Sequence, residues 1–181
     1  MKYKLNVSLN DKIYLEYNTF WATRSHYGKK QMLTLRVLFA LFIFVMILFS
    51  FFGGFSLDIL IADIPMLVLL VLWQLLLVPV YKWMLRLHIK SLKKRGKVGY
   101  SPTAVMEFFE ENFVENTPEN RNEVRYSAVE RVSVVDNKVI YLHVNNLLAY
   151  ILPFECFESE EQRKSFLEFV GTKCGNIDVY D

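Results

Sequence analysis

The chain has 181 residues, of which 53% are hydrophobic and 15% aromatic, with 21 Lys plus Arg against 19 Asp plus Glu. This composition excludes an intrinsically disordered chain, because its apolar surface can offset the entropy cost of ordering, and two cysteines exclude a disulfide scaffold. The net charge of +2 is unevenly distributed along the chain. Residues 1–97 have 14 basic and 4 acidic side chains, whereas residues 98–181 have 7 basic and 15 acidic ones.

The N-terminal segment, residues 1–36, is predicted to be cytoplasmic and to contain a strand followed by an amphipathic helix. Apolar and polar residues alternate from Tyr3 to Leu9, which is the period of a half-buried strand. Asn10 is a suitable N-cap, and apolar residues then recur at helical spacing at Ile13, Tyr17, Phe20 and Trp21. This face could lie in a bilayer interface or pack against the rest of the protein. The sequence leaves both open, as it leaves open whether the strand joins a larger sheet.

Two uncharged segments, 37–55 and 64–81, predict two transmembrane helices joined by a short outer loop. They have 19 and 18 residues, close to the roughly 20 that a helix needs to cross a bilayer. Asp63 and Pro65 are typical of a helix start, so the second span is expected to begin there. Seven basic residues precede the first span, seven follow the second, and the loop has none. This distribution predicts a multi-pass protein of the inner or plasma membrane with both termini in the cytoplasm.

Gln74 is the polar residue that the sequence places inside the predicted spans. A polar side chain in hydrocarbon is costly unless it finds a hydrogen-bond partner, so we expect Gln74 to make an interhelical or oligomer contact. A role in transport is the weaker interpretation, because no charged residue or histidine accompanies it within the predicted spans.

Residues 82–97 predict a basic juxtamembrane helix that continues the second span. Its cationic side chains are expected to contact anionic headgroups: Lys82, Arg86, Lys90, Lys93, Lys94 and Arg95. Nucleic-acid binding is not expected, because basic residues directly beside a span usually serve the membrane surface.

Residues 98–181 predict a cytoplasmic domain made of short strands and one C-terminal helix. Candidate strands are 104–109, 113–116, 123–126, 132–135, 138–144 and 147–152, with turns at Glu111-Asn112, Asp136-Asn137 and Asn145-Asn146. Ser159 begins a capping box, and the helix that follows is expected to end at Gly171. The fold class predicted is α+β, with a transmembrane hairpin and a pleckstrin-homology-like half-barrel.

The chain resembles the YcxB-like family of small bacterial membrane proteins over nearly its whole length. The resemblance depends on LNDKIYLEYN at 9–18, the pair of spans, EVRYSAVERV at 123–132 and LPFECF at 152–157. It implies two spans and a cytoplasmic domain similar to pleckstrin-homology-like modules, with no assigned reaction. Tyr126 stands where the family usually has Trp, and Phe154 and Glu155 stand where it commonly has a basic pair, which weakens any anion-binding role there.

The sequence contains no recognisable catalytic, metal-binding or cofactor-binding motif, so we expect no enzyme activity and no cofactor. The three histidines are scattered, and the two cysteines lie 18 residues apart without a metal-ligand spacing. Glu107, Glu110 and Glu111 are expected to form a solvated acidic face. The leading hypothesis is a membrane-tethered module that uses these glutamates to bind a protein with a basic surface. The alternative is a small transport or channel subunit that works as a homo-oligomer.

Overall fold

The computed structural model describes residues 1–54, 56–96, 100–145, 148–175 and 177–180. The helices are α1 (Asp11–Thr23), α2 (His26–Ser50), α3 (Leu57–Lys94) and α4 (Glu160–Cys174). The strands are β1 (Tyr3–Ser8), β2 (Thr103–Phe108), β3 (Asn112–Asn116), β4 (Arg121–Arg125), β5 (Arg131–Val135), β6 (Val139–His143), β7 (Ala149–Pro153) and β8 (Ile177–Tyr180). The predicted α+β class is confirmed. Two compact units form, Met1–Asp11 with Gly99–Asp181, and Lys12–Val98.

The helical unit begins with a sharp change of direction between α1 and α2. The Ser25 side chain caps α2 by accepting a hydrogen bond from the Gly28 backbone N–H at 3.0 Å, and it donates to the Trp21 carbonyl oxygen at 2.5 Å. Gly28 is required at this corner, because an added Cβ would collide with the Trp21 carbonyl oxygen. The close approach of the two chain segments therefore depends on a residue without a side chain.

The connection between α2 and α3 differs from the predicted outer loop. The helix α2 ends at Ser50, a short 3-10 turn covers Phe51–Gly53, and α3 already begins at Leu57. The prediction that the second helix starts at Asp63 is wrong, because Ser56 provides the cap: its Oγ accepts from the Ile59 N–H at 3.3 Å. Asp63 is consequently inside α3.

Both long helices are apolar enough to cross a membrane. The most hydrophobic 18-residue windows of α2 and α3 have mean hydropathies of 2.7 and 2.4, and 6% of each window is buried within the protein. A core helix of a soluble domain would be buried on at least one face, so the low burial of both windows is compatible with helices that cross a membrane.

The first sheet has the order β1-β2-β3-β4 and is antiparallel throughout. The N-terminal strand pairs with β2 from Tyr3 opposite Phe108 to Ser8 opposite Thr103, although the two strands are separated in sequence by the whole helical unit. This pairing answers the question that the sequence left open. The β-sheet unit therefore combines the C-terminal part of the chain with its first residues.

The second sheet has the order β7-β6-β5-β8, in which β8 runs parallel to β5. Six predicted strands match β2 to β7 to within two residues at each described end. The turn between β5 and β6 is as predicted, with φ of 51° at both Asp136 and Asn137. The predicted turn at Asn145-Asn146 and the strand start at Leu147 reach residues 146–147, which lie outside the described part of the chain.

The core of this unit is apolar and aromatic, and α4 closes it. Phe108, Phe113 and Phe166 are completely buried, and the Phe166 ring packs edge-on against Phe108 with centroids 4.8 Å apart. The predicted cap of α4 is confirmed, because Ser159 Oγ accepts from the Gln162 N–H at 3.1 Å. The helix extends past the predicted end at Gly171 to Cys174, and the glycine with a positive φ that follows it is Gly175.

Candidate functional site

The basic side chains predicted to contact a membrane lie on the last turns of α3. All six are exposed: Lys82, Arg86, Lys90, Lys93, Lys94 and Arg95. The first three recur at intervals of four residues and therefore share one side of the helix. The helix ends at Lys94, and Gly96, two residues further on, adopts a φ of 67°. Their contact with lipid headgroups remains a prediction.

The three glutamates predicted to bind a partner lie on β2 and in the turn that follows it. Glu107 contacts Lys4 on β1 at 3.7 Å and accepts from Asn116 Nδ2 on β3 at 3.2 Å. Glu110 contacts Lys2 at 3.0 Å. Two of the three carboxylates thus have basic neighbours within the same unit.

Glu110 also joins the N-terminal residues to the last helix. Its second carboxylate oxygen lies 3.5 Å from Lys173 Nζ on α4, so one exposed side chain contacts two lysines. The hydrogen bond and charge of Lys2, and to a smaller extent those of Lys173, lower the pKa of Glu110. Glu111 is exposed, and its backbone carbonyl accepts from the Tyr126 N–H at 3.2 Å.

Gln74 lies where α2 and α3 pack together. Its Nε2 is 3.5 Å from the carbonyl oxygen of Arg36, the long limit of a hydrogen bond. The neighbouring Trp73 ring stacks on Phe39 with centroids 4.5 Å apart. Among the described residues, Arg36 Nε and Trp73 Nε1 are buried without a hydrogen-bond partner.

A second polar contact joins the helices near their connection. Ser50 Oγ donates to Asp63 Oδ2 at 2.7 Å, and Asp63 is 4% exposed. The interpretation that Gln74 alone is polar within the long apolar helices is therefore incomplete. Because α3 starts six residues earlier than predicted, a carboxylate lies within it.

A buried serine and histidine form the contact that most resembles a catalytic pair. His143 Nε2 on β6 lies 3.1 Å from Ser133 Oγ on β5, and both residues are buried. Burial, assisted by the positive charge of Arg131, lowers the pKa of His143 to about 4. A nucleophile needs an accessible reaction partner and a base that accepts protons near neutral pH, and this pair provides neither. The contact instead satisfies two buried polar groups.

A shallow groove of about 460 Å3 lies at one end of the first sheet. Its polar lining is uncharged: Asn6, Ser8, Thr103, Asn116 and Thr117. In the described part of the chain, no group of three His, Cys, Asp or Glu residues is arranged to hold a metal ion. Cys156 and Cys174 are both free thiols.

Sequence reasoning missed the most constrained polar groups of the structure. The Ser50–Asp63 contact and the Arg36–Trp73 region depend on how two distant segments align, and no local motif marks them. Ser133 and His143 belong to neighbouring strands. The alternation of side chains along the two strands is therefore the sequence feature that could have predicted their contact.

Part of the β-sheet unit matches a known protein family. Residues 108–170, from the end of β2 through most of α4, match the sequence model of the family described as YcxB-like protein. This match confirms the resemblance identified from the sequence over residues 108–170. The family description names no reaction. No curated protein and no solved structure matches the chain.

Proposed function

We propose that this protein is a membrane-tethered cytoplasmic interaction module. The observation that supports this proposal is the exposure of α2 and α3. In each helix, 6% of the most apolar 18-residue window is buried within the protein. Leaving this surface in water would be unfavourable at about 25 cal/mol for each Å2, whereas a bilayer surrounds it with hydrocarbon. The two helices together then cross the membrane as a multi-pass hairpin.

The distribution of charge supports one orientation of this hairpin. The connection between the helices contains no Lys or Arg, and the exposed basic residues at the end of α3 lie on the opposite side. The positive-inside rule then puts both termini in the cytoplasm, at the inner or plasma membrane.

The β-sheet unit is the part that would bind a partner. Its two four-stranded sheets and closing helix are compatible with a pleckstrin-homology-like module, a fold class widely used for binding. We propose that it binds protein rather than performing catalysis. The excess of acidic residues in 98–181 favours a partner with a basic surface.

The glutamates differ in how readily they could contact such a partner. Glu107 and Glu110 already lie beside lysines of the same unit, so binding through them would exchange one ion pair for another. Glu111 is exposed, and no lysine in the described part of the chain lies within ion-pair distance of it, so we expect Glu111 to contribute most.

In-cell crosslinking with mass spectrometry tests whether the module binds a protein with a basic surface. Glu111→Lys should reduce crosslinks to a basic protein, whereas Glu168→Lys, a matched reversal at an exposed position on α4, should change them less. Recovery of copies of this chain alone, insensitive to Glu111→Lys, would contradict the proposal.

The orientation is tested by single cysteines in a chain whose two native cysteines are replaced by serine. An impermeant maleimide should label Asp58→Cys in intact cells, and it should label Glu119→Cys after permeabilisation. The opposite pattern would reverse the topology.

A small oligomeric transport or channel subunit is the alternative function. Asp63 favours it, because a buried carboxylate among apolar helices is a feature of ion and proton pathways. A defined ring of subunits in lipid, together with loss of a transport activity in Asp63→Asn, would support this alternative over the module.

A further inference from the structure

The helix α3 is longer than a bilayer is thick. Its 38 residues span about 57 Å at about 1.5 Å per residue, whereas a bilayer measures about 40–45 Å including both headgroup layers. If α3 crosses the membrane upright from Leu57, roughly its last eight to eleven residues extend beyond the headgroups. These turns must therefore either project into water or lie along the membrane surface.

The segment at residues 82–94 of α3 presents an exposed apolar row beside its basic side chains. Trp83, Met84 and Leu87 form this apolar row; they are 47–60% exposed and follow the exposed Val80 at helical spacing. The apolar surface of the helix thus continues past the end of the predicted span. A segment that projected into water would leave the apolar row solvated, which is unfavourable.

We propose that residues 82–94 lie against the cytoplasmic surface of an anionic membrane, with the apolar row at the boundary between headgroups and acyl chains. The basic row, Lys82, Arg86 and Lys90, then lies beside lipid phosphates. This inference rests on the membrane-spanning hairpin proposed above and adds to it a surface-bound segment that prefers anionic lipid. Amphipathic helices with Lys and Arg on one side and Trp or Leu on the other bind membrane surfaces in this way.

The alignment of α2 with α3 supports a membrane boundary at the level of this segment. Gln74 on α3 contacts the carbonyl oxygen of Arg36 on α2, which relates the levels of the two antiparallel helices. Lys82 follows Gln74 by eight residues, about 12 Å along α3. Lys30 precedes Arg36 by six residues, about 9 Å along α2 in the same direction. Exposed lysines of both helices thus share one level with Trp83, and Trp is enriched at the headgroup level of membranes.

Pro79 lies one turn before the apolar row and provides a place at which the direction of α3 can change. Proline inside a helix has no N–H for the backbone hydrogen bond, and its ring crowds the carbonyl oxygen four residues earlier, so helices bend at proline. The residues before Pro79 can then cross the bilayer while those after it lean toward the membrane surface.

The composition of the segment favours lipid over a second copy of the chain as the occupant of the apolar row. Helices that associate in membranes usually meet through small residues, and residues 80–87 include no Gly, Ala, Ser or Thr. No acidic residue lies between Asp63 and Glu107 in the sequence, so two copies of the basic row would repel each other. The same charges are attracted to anionic headgroups.

The depth of Trp83 tests this placement in the full-length protein, reconstituted in vesicles of phosphatidylcholine and phosphatidylglycerol. Trp21→Phe and Trp73→Phe leave Trp83 as the single tryptophan. The matched control also carries Trp83→Phe and instead has Glu119→Trp, at an exposed position of the β-sheet unit. Lipids brominated in the upper half of the acyl chain should quench Trp83 about fivefold more than the control tryptophan.

Two outcomes of this measurement would contradict the placement. Quenching of Trp83 no stronger than that of the control would overturn it, because the segment would then lie in water. Weak quenching combined with disulfide-linked dimers of Leu87→Cys would assign the apolar row to a second copy.

The preference for anionic lipid has its own test. Brominated phosphatidylglycerol should quench Trp83 about twofold more than an equal amount of brominated phosphatidylcholine, because the basic row enriches anionic lipid around it. Replacing Lys82, Arg86 and Lys90 together by Gln should remove this difference. The matched control replaces three exposed basic residues of the β-sheet unit by Gln: Arg125, Lys138 and Lys164. Equal quenching by the two lipids without any of these replacements would overturn the preference.

A second measurement does not depend on the tryptophan substitutions. In a chain whose native cysteines are replaced by serine, Leu87→Cys and His88→Cys place a thiol on different sides of α3, both at exposed positions. In inverted membrane vesicles, Leu87→Cys should react with a water-soluble maleimide about tenfold more slowly, because a thiol in an apolar environment forms little thiolate. Equal rates would show that the apolar row faces water and would overturn the placement.

Alkaline carbonate extraction separates this inference from the proposed function. Wild-type protein that stays in the membrane, combined with weak quenching of Trp83, would reject the surface-bound segment alone. Release of the wild type into the soluble fraction would reject the membrane-spanning hairpin, and the surface-bound segment with it.

Discussion

Ser50 Oγ donates a 2.7 Å hydrogen bond to Asp63 Oδ2 and thereby joins the last residue of α2 to the second turn of α3. The Ile47 carbonyl oxygen also lies 2.7 Å from the Ser50 hydroxyl, so it competes with Asp63 for the single hydroxyl proton. The contact fixes the alignment of two helices whose remaining surfaces are largely apolar and could slide past one another.

Ser50→Ala should destabilise the hairpin by about 1 kcal/mol, because it leaves the buried Asp63 carboxylate without this donor. Asp63→Asn keeps an acceptor oxygen and should have a smaller effect. Asp58→Asn, at an exposed position in the same helix, is the control. Resistance to unfolding by sodium dodecyl sulfate measures the difference, and equal resistance of Ser50→Ala and the wild type would contradict this role.

Glu110 should stabilise the β-sheet unit in a pH-dependent manner. Its pKa is lowered in the fold, chiefly by Lys2, so the stabilisation is complete above the pKa of the unfolded chain and is lost as pH falls through the lower, folded value. Thermal unfolding midpoints of the wild type should therefore decrease more on acidification than those of Glu110→Gln. Glu168→Gln serves as the control, and added salt should reduce the difference at neutral pH.

His143 should make the fold sensitive to mild acid. Its pKa is about 4 in the fold because of burial and the nearby Arg131, so the unfolded chain binds a proton first as pH falls below about 6.5. Stability should thus decrease between these two pH values, whereas His143→Gln should remove most of that decrease. His88→Gln, at an exposed position on α3, should retain the wild-type pH profile.

Both native thiols should react slowly. Burial raises the pKa of Cys156 to about 12 and that of Cys174 to about 11, so little thiolate exists at neutral pH. Reaction with maleimide should be roughly a hundredfold slower than for an introduced exposed cysteine such as Glu119→Cys, and it should recover in denaturant. Rapid labelling of Cys174 in the native protein would show that the end of α4 opens readily.

Leu5→Ala should destabilise the β-sheet unit by about 2–5 kcal/mol, since Leu5 is 1% exposed in the core. Its neighbour Asn6 lies on the opposite, exposed face of β1, so Asn6→Ala should change stability by less than about 0.5 kcal/mol. Chemical unfolding followed by circular dichroism compares the two. Similar effects of both substitutions would indicate that β1 is not integral to the sheet.

Features determined by neighbouring residues could be predicted from the sequence. The turn at Asp136-Asn137, the cap at Ser159 and the six central strands depend on local geometry, and the structure has all of them. The pairing of β1 with β2 and the parallel strand β8 depend on contacts between distant segments, which periodicity does not specify.

Two predicted helix boundaries were wrong, because in each case a residue typical of a boundary lies near the residue at which the helix begins or ends. Asp63 and Pro65 have the character of a helix start, but Ser56 caps the helix earlier and proline is tolerated within a long apolar helix. Gly171 has the character of a helix end, but the helix continues to Cys174, and Gly175 after it is the residue with a positive φ, 78°. The polar contacts between α2 and α3 were missed because they require the register of the pair.

Because β1 pairs with β2, the order in which the chain is synthesised affects how its first sheet folds. The first strand leaves the ribosome long before its partner, and α1, α2 and α3 are made in between. Until residue 108 has been synthesised, β1 has an unpaired edge and an unburied Leu5, which are features that favour chaperone binding or aggregation. The sheet can therefore close only after the hairpin segment has emerged. If α2 and α3 insert into a membrane as proposed above, a chain that stops before residue 108 would present both an apolar helix pair and an incomplete sheet to quality control.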